Sequence, residues 1–160
     1  MNTIGVDPGL SGGITVLDEN GAIINKYIMP IIKSAKGKNE IDVKGVVAIF
    51  EKALPIKMVG IEKQQAFQKQ GLSSTFKTGR GFGILEGIAA GMKIPYMIIG
   101  AKIWQKKMFE GMGKADTKQL SKQVAQRLYP NEDFRPTERC TKTSDGITDS
   151  LLIGLFVLNL

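Results

Sequence analysis

The chain contains no histidine at all, and that absence excludes more chemistry than any other feature of its composition. Serine and cysteine triads that depend on an imidazole base are ruled out, as are histidine-based zinc sites. There is one cysteine, Cys140, so neither an internal disulfide nor a thiolate zinc site can form. No basic leader with an apolar core opens the sequence, which predicts no secretory signal. The longest apolar stretch, Ile147 to Leu160, is too short to span a bilayer. A reducing, cytoplasmic setting with no membrane partner is expected. What remains for catalysis is carboxylates, lysines and a hard metal ion that prefers oxygen ligands.

The 160 residues, 42% hydrophobic, suffice for one domain with a real core, and a single domain over 1–160 is expected. Twenty-two basic against fifteen acidic residues leave a net charge of +7. A surplus of that size favours a polyanionic partner, nucleic acid first.

Ile4 to Ile14 reads as a strand, a glycine turn and a second strand, with Asp7 closing the first. Pro8 keeps the residue before it extended, so Asp7 stays on the strand. Gly13 to Leu17 and Ala22 to Met29 continue an antiparallel meander around the Asn20-Gly21 turn. Residues 30–40 are polar and predict a loop. Asp42 is placed to cap a helix running to Leu54, Met58 to Glu62 is a short buried strand, and Lys63 to Ser74 is a loop. A helix from about Thr75 to Gly91 carries five glycines at 79, 81, 83, 87 and 91. Close packing on a sheet or on a second subunit would compensate for their poor helix propensity. A strand at 95–99 and helices at 101–109, 117–128 and from Ser144 onward complete the order. The fold class is α/β, with a mixed five-stranded sheet whose first three strands are antiparallel, flanked by helices.

Four acidic residues stand where solvent does not account for them. Asp7 and Glu62 each end an apolar strand, and Asp145 and Asp149 lie four apart at the start of an apolar helix, hence on one face. Each has a plainer explanation: a turn for Asp7, a cap or a salt bridge with Lys63 for Glu62, and the helix dipole for Asp145 and, more weakly, for the deeper Asp149. If all four converge, their repulsion calls for a cation, and oxygen-only ligands select Mg²⁺ or Mn²⁺. Two such ions about 3.5–4 Å apart suit phosphodiester hydrolysis.

These residues resemble the RuvC Holliday junction resolvases, nucleases of the ribonuclease H-like superfamily, over nearly the whole chain. I-G-V-D-P-G at 4–9 is similar to the family's first motif, G-I-E-K at 60–63 to its second and D-G-I-T-D-S-L-L-I at 145–153 to its last. G-M-G-K-A-D at 111–116, followed by Lys118, resembles its basic segment. The resemblance implies that Asp7, Glu62, Asp145 and Asp149 bind two Mg²⁺, with Mn²⁺ able to substitute. It also implies a homodimer that nicks opposed strands of a four-way DNA junction. Many cellular members space the last acidic pair by three residues. The spacing of four here, with Gly146 at the alternative position, is similar to phage-type members and implies a viral gene acting in the host cytoplasm. Lys118 stands one residue from its aligned place.

Six lysines lie within 102–122: Lys102, Lys106, Lys107, Lys114, Lys118 and Lys122. Such a segment can track phosphates. Lys106 and Lys118 match the family's basic positions best and are the candidate catalytic lysines. The loop after Glu62 adds Lys63, Gln64, Phe67, Lys69, Lys77 and Arg80 as DNA-binding candidates. Phe67 either wedges between bases at a junction centre or folds back into the core. The competing reading is a catalytically silent branched-DNA-binding module on the same fold, which would not need four carboxylates. An actin-like or sugar-kinase phosphotransferase shares the opening motif but needs a second lobe. Whether a branch-migration helicase acts as partner is left open by the sequence.

Overall fold

The computed structural model describes residues 1–66 and 71–160. Its centre is a five-stranded sheet built from β1 (Asn2–Asp7), β2 (Gly13–Leu17), β3 (Ile23–Ile28), β6 (Ile56–Glu62) and β7 (Tyr96–Ile99), ordered β3-β2-β1-β6-β7. β1 pairs antiparallel with β2, and β2 with β3. β6 lies parallel to β1, and β7 parallel to β6. The mixed sheet is therefore the one expected. The Asn20-Gly21 turn is closed by Asp18, whose Oδ1 accepts from the backbone N–H groups of Asn20 and Ala22, and Gly21 supplies the positive φ, 85°.

Residues 30–41 are not simply a loop. β4 (Ile31–Lys33) and β5 (Asn39–Ile41) form a two-stranded ribbon around Gly37, whose φ is 70°. Each strand has only three residues and the segment is polar, so it lacks the alternation that announces a strand. α1 spans Val43–Lys52 behind Asp42, but the Asp42 side chain makes no cap hydrogen bond. α2 (Leu72–Gly91) begins three residues earlier than the apolar pattern suggests. α3 (Ala101–Met108), α4 (Thr117–Leu128) and α5 (Asp145–Leu158) fall close to their expected places. Among the described residues no helix is long and apolar enough to cross a membrane.

The sheet separates two cores. Ile4, Val6, Val59 and Ile61 pack under α1 and α2 with Val46, Phe50, Leu85 and Ile88. On the other face Leu17 and Ile99 meet Trp104, Val124, Phe134 and the apolar side of α5. The alternation of side chains along a strand decides which residues look at α5. With Ile4, Val6, Val59 and Ile61 committed to the first core, Gly5, Asp7, Gly60 and Glu62 belong to the second face.

The glycines let α5 lie directly on the sheet. A Cβ on Gly5 would come within 2.0 Å of the Ser150 carbonyl oxygen and 2.3 Å of the Gly154 nitrogen, and one on Gly60 within 2.5 Å of a Val157 methyl carbon. The α2 glycines behave differently. Among the described residues a Cβ at Gly79, Gly83, Gly87 or Gly91 would meet nothing within 4 Å, so these glycines do not pack closely against the sheet. Gly81 approaches the Ile41 side chain, where a Cβ would lie 3.1 Å from a methyl carbon.

Candidate active site

Asp7 and Glu62 end adjacent parallel strands. The register pairs Gly5 with Gly60 and Val6 with Ile61, so the next step along both strands sets Asp7 beside Glu62 at their carboxyl ends. Such strand ends are the usual place for a ligand in an α/β sheet. Asp7 also faces Gly13 on β2, and Gly13 touches the first turn of α5. Ser144 caps that turn by accepting from the Ile147 N–H at 3.3 Å. Within the layer, the Thr15 and Ser150 hydroxyls lie 2.8 Å apart and Ser150 also donates to the Ile147 carbonyl. These contacts fix the helical turn that carries Asp145 and Asp149.

The electrostatics record the resulting crowding. Burial, with the Glu62 charge adding to it, pushes the Asp7 carboxyl up to about 6, against one hydrogen bond from the Gly9 N–H. Burial also pushes Asp149 up to about 6, reinforced by the Asp7 and Asp145 charges and opposed by the Ser121 hydroxyl. Glu62 is raised by burial and by Asp149, while the Trp104 indole N–H opposes the rise. Asp145 runs the other way. Burial would raise it, but hydrogen bonds from the Lys122 and Lys118 ammonium groups outweigh that and hold it below the ordinary carboxylate value. Lys122 Nζ stands 2.8 Å from Asp145 Oδ1, and Lys118 Nζ 3.2 Å from Oδ2.

The four carboxylates therefore lie within one another's field without closing on a common point. Among the described residues no three acidic, cysteine or histidine side chains form a ready-made metal cage. The physical reason is visible in their partners: Glu62 turns toward Trp104 and Gln64, and Asp145 toward two lysines. Even so, the donor set fits a hard divalent cation. Every candidate ligand atom is a carboxylate oxygen, and Asp149 Oδ1 is buried with no hydrogen-bond partner among the described residues. A buried bare carboxylate oxygen is costly and is satisfied by a cation.

Of the candidate lysines, Lys118 acts on Asp7, Asp145 and Asp149, whereas Lys106 is exposed on α3 and makes no ion pair among the described residues. Lys102, Lys107 and Lys114 are also exposed, Lys107 pairing with Glu110 at 3.3 Å. Beside the Asp7 turn lies a cleft of about 600 Å³ lined by Pro8, Gly9, Gln64, Lys77, Arg80 and Phe76, among others. It brings three of the DNA-binding candidates, Gln64, Lys77 and Arg80, to one surface next to the carboxylates. Arg80 meets Glu40 at 3.1 Å on the rim. Lys63 is exposed just after β6. Phe67 and Lys69 fall outside the described residues.

Two residues went unassigned in the sequence. Lys122 counted only as one basic residue among six, although a lysine one turn after Lys118 shares its helix face. Trp104 lies 42 residues from Glu62, and nothing local marks it as a partner.

The mixed five-stranded sheet flanked by helices is a ribonuclease H-like fold shared with solved RuvC structures. No protein-family model matches the sequence, and no curated protein sequence matches it. Solved structures do. The chain is similar to the T. thermophilus RuvC in complex with Holliday junction substrate, at 14% identity and a TM-score of 0.61, over 98% of this chain and 91% of that one. It is also similar to the Thermus thermophilus RuvC structure, at 19% identity and a TM-score of 0.60, covering 98% and 92%. The yeast mitochondrial Holliday junction resolvase Ydc2 matches at 13% identity and a TM-score of 0.59, covering 97% and 76%.

Proposed function

We propose that this chain is a structure-specific DNA endonuclease that resolves four-way junctions by metal-dependent phosphodiester hydrolysis. The observation that supports the reading is that Asp7 and Glu62, at the ends of β1 and β6, and Asp145 and Asp149, in the first turns of α5, lie within one another's electrostatic field. A nucleic-acid-binding module has no use for four mutually repelling carboxylates beside a basic helix. The same fold in T. thermophilus RuvC is found in complex with Holliday junction substrate.

In this reading the four carboxylates hold Mg²⁺ or Mn²⁺. When bound, the metal supplies a nucleophilic water at neutral pH and neutralises charge on the phosphodiester. Hydrolysis forms one bond from water oxygen to phosphorus and breaks one ester bond, the departing oxygen taking a proton. Lys118 lies close enough to the carboxylates to serve the scissile phosphate once it leaves Asp145, and Lys106 extends the basic surface along α3. Lys102, Lys107 and Lys114 meet flanking phosphates and make affinity salt-dependent. Gln64, Lys77 and Arg80 grip the junction along the cleft, and exposed Lys63 adds to them; Phe67 and Lys69 are further DNA contacts proposed from the sequence alone.

Nicking two opposed strands needs two sites, so the working form is a homodimer. The bare glycine edge of α2, Gly83 and Gly87 above all, is the surface proposed for its interface. The test uses a mobile four-way junction labelled in turn on each strand, with linear duplex of the same sequence as control. Symmetric nicks across the junction with the duplex spared are expected. Tight junction binding without nicks under any divalent metal would overturn the nuclease reading in favour of the silent module.

A further inference from the structure

Trp104 is the single tryptophan of the chain and is completely buried, yet its one polar atom points out of the core at a candidate metal ligand. The indole Nε1–H donates to Glu62 Oε1 at 3.0 Å. The path that brings them together is short in space. Glu62 pairs with Ile99 across β6 and β7, and α3 starts two residues after Ile99, so its first turn and a half passes beneath the end of β6. The ring is held edge-to-face against Phe109, with centroids 5.7 Å apart and planes at 74°. A tryptophan has only two side-chain torsions, and with both fixed by packing the N–H direction is fixed too.

Glu62, by contrast, has three torsions and is the longest of the four acidic side chains. Among the described residues its other oxygen, Oε2, has only the Gln64 amide at 3.4 Å, near the limit of a hydrogen bond. Trp104 therefore anchors one oxygen to the core and leaves the second free to turn toward Asp7. We propose that Trp104 is the positioning residue of the metal site: it orients Glu62 for metal binding and, being adjacent, reports occupancy through its fluorescence. This rests on the metal-nuclease reading above. Hydrogen-bond partners of this kind commonly alter metal affinity or activity by about 10–100-fold when removed.

The experiment begins with Mn²⁺ titration of the full chain followed by tryptophan emission. Saturable quenching, reversed by excess Mg²⁺ and absent in Glu62→Gln, is expected. Metal affinity is then measured by the paramagnetic resonance of free Mn²⁺ for Trp104→Phe and for the isostere in which sulfur replaces the indole N–H. Both should bind Mn²⁺ about 10–100-fold more weakly, with kcat on a junction reduced, KM for DNA unchanged and kcat partly recovered at high metal. The isostere keeps the packing, so it isolates the hydrogen bond from the fold. Wild-type metal affinity and kcat in a folded isostere would overturn the proposal. A wild-type chain that binds no divalent metal would instead overturn the reading beneath it.

Discussion

Gly13 on β2 and Gly146 in the first turn of α5 touch backbone to backbone. A Cβ on Gly13 would lie 2.5 Å from the Gly146 carbonyl oxygen, and one on Gly146 would lie 2.3 Å from the Gly12 carbonyl carbon. Because Gly146 sits between Asp145 and Asp149, this contact sets how far both stand from Asp7. Gly146→Ala must push α5 off the sheet, and overpacking of this kind costs about 1–3 kcal/mol. Chemical denaturation should show that loss, and metal titration should show weaker binding in the folded fraction.

The pH dependence of the metal-free chain follows from Asp7 and Asp149, both raised from 3.8 to about 6. Between these values the folded chain holds more protons than the unfolded one. Their contribution to stability is therefore complete below 3.8 and is lost as the pH rises through about 6. Metal-free protein should melt at a lower temperature at pH 7.5 than at pH 5 on their account. Asp149→Asn should remove part of that difference by raising the pH 7.5 transition, at about 2–4 °C per kcal/mol. Adding Mg²⁺ should stabilise the wild type at pH 7.5 and do little at pH 5, as thermal melts at the two pH values will show.

Lys118 and Lys122 both bind Asp145, but their exposure differs, 68% against 39%. The more exposed Lys118 is free to exchange Asp145 for a phosphate. Lys118→Ala should weaken junction binding and lower the slope of log affinity against log salt by about one. Fluorescence anisotropy at several salt concentrations measures both. Ion pairs at such exposure add little to folding, about 0–1 kcal/mol, so the variant should melt close to the wild type.

The open glycine edge of α2 separates its two roles by experiment. Within one chain a Cβ at Gly87 meets nothing, so Gly87→Ala should stabilise the monomer fold by about 1 kcal/mol through helix propensity. If a second copy packs there, Gly83→Leu with Gly87→Leu should leave a folded monomer by light scattering while junction cleavage loses its paired nicks. A wild-type monomer at micromolar concentration would count against the dimer.

Most of the sheet was legible in the sequence because its strands are apolar runs bounded by Pro8, the Asn20-Gly21 turn and the acidic strand ends. The β4–β5 ribbon was not, since three-residue strands such as Asn39-Glu40-Ile41 have no periodicity to read. The start of α2 was missed for a related reason: Leu72 is 91% exposed and belongs to no apolar face. Position along the chain singles out Asp7 and Glu62, which end strands, and Asp145 and Asp149, four apart in the first turns of an apolar helix. Their partners were not readable. The Trp104–Glu62 bond and the Lys122–Asp145 pair depend on how α3 and α4 cross the strand ends, which no local pattern encodes. The α2 glycines misled in part, since their spacing suggests close packing that does not occur within one chain.

Whether the four carboxylates form a metal-dependent nuclease site is decided by cleavage with Glu62→Gln. Wild-type and variant are compared on a mobile four-way junction and on linear duplex, in Mg²⁺ and in EDTA. Losing a carboxylate ligand should cost several kcal/mol of transition-state stabilisation, so nicking should fall by about a thousandfold or more while junction affinity is kept. EDTA should abolish wild-type nicking outright. Junction nicking by Glu62→Gln at the wild-type rate, or wild-type nicking that persists in EDTA, would rule out a metal-dependent carboxylate site.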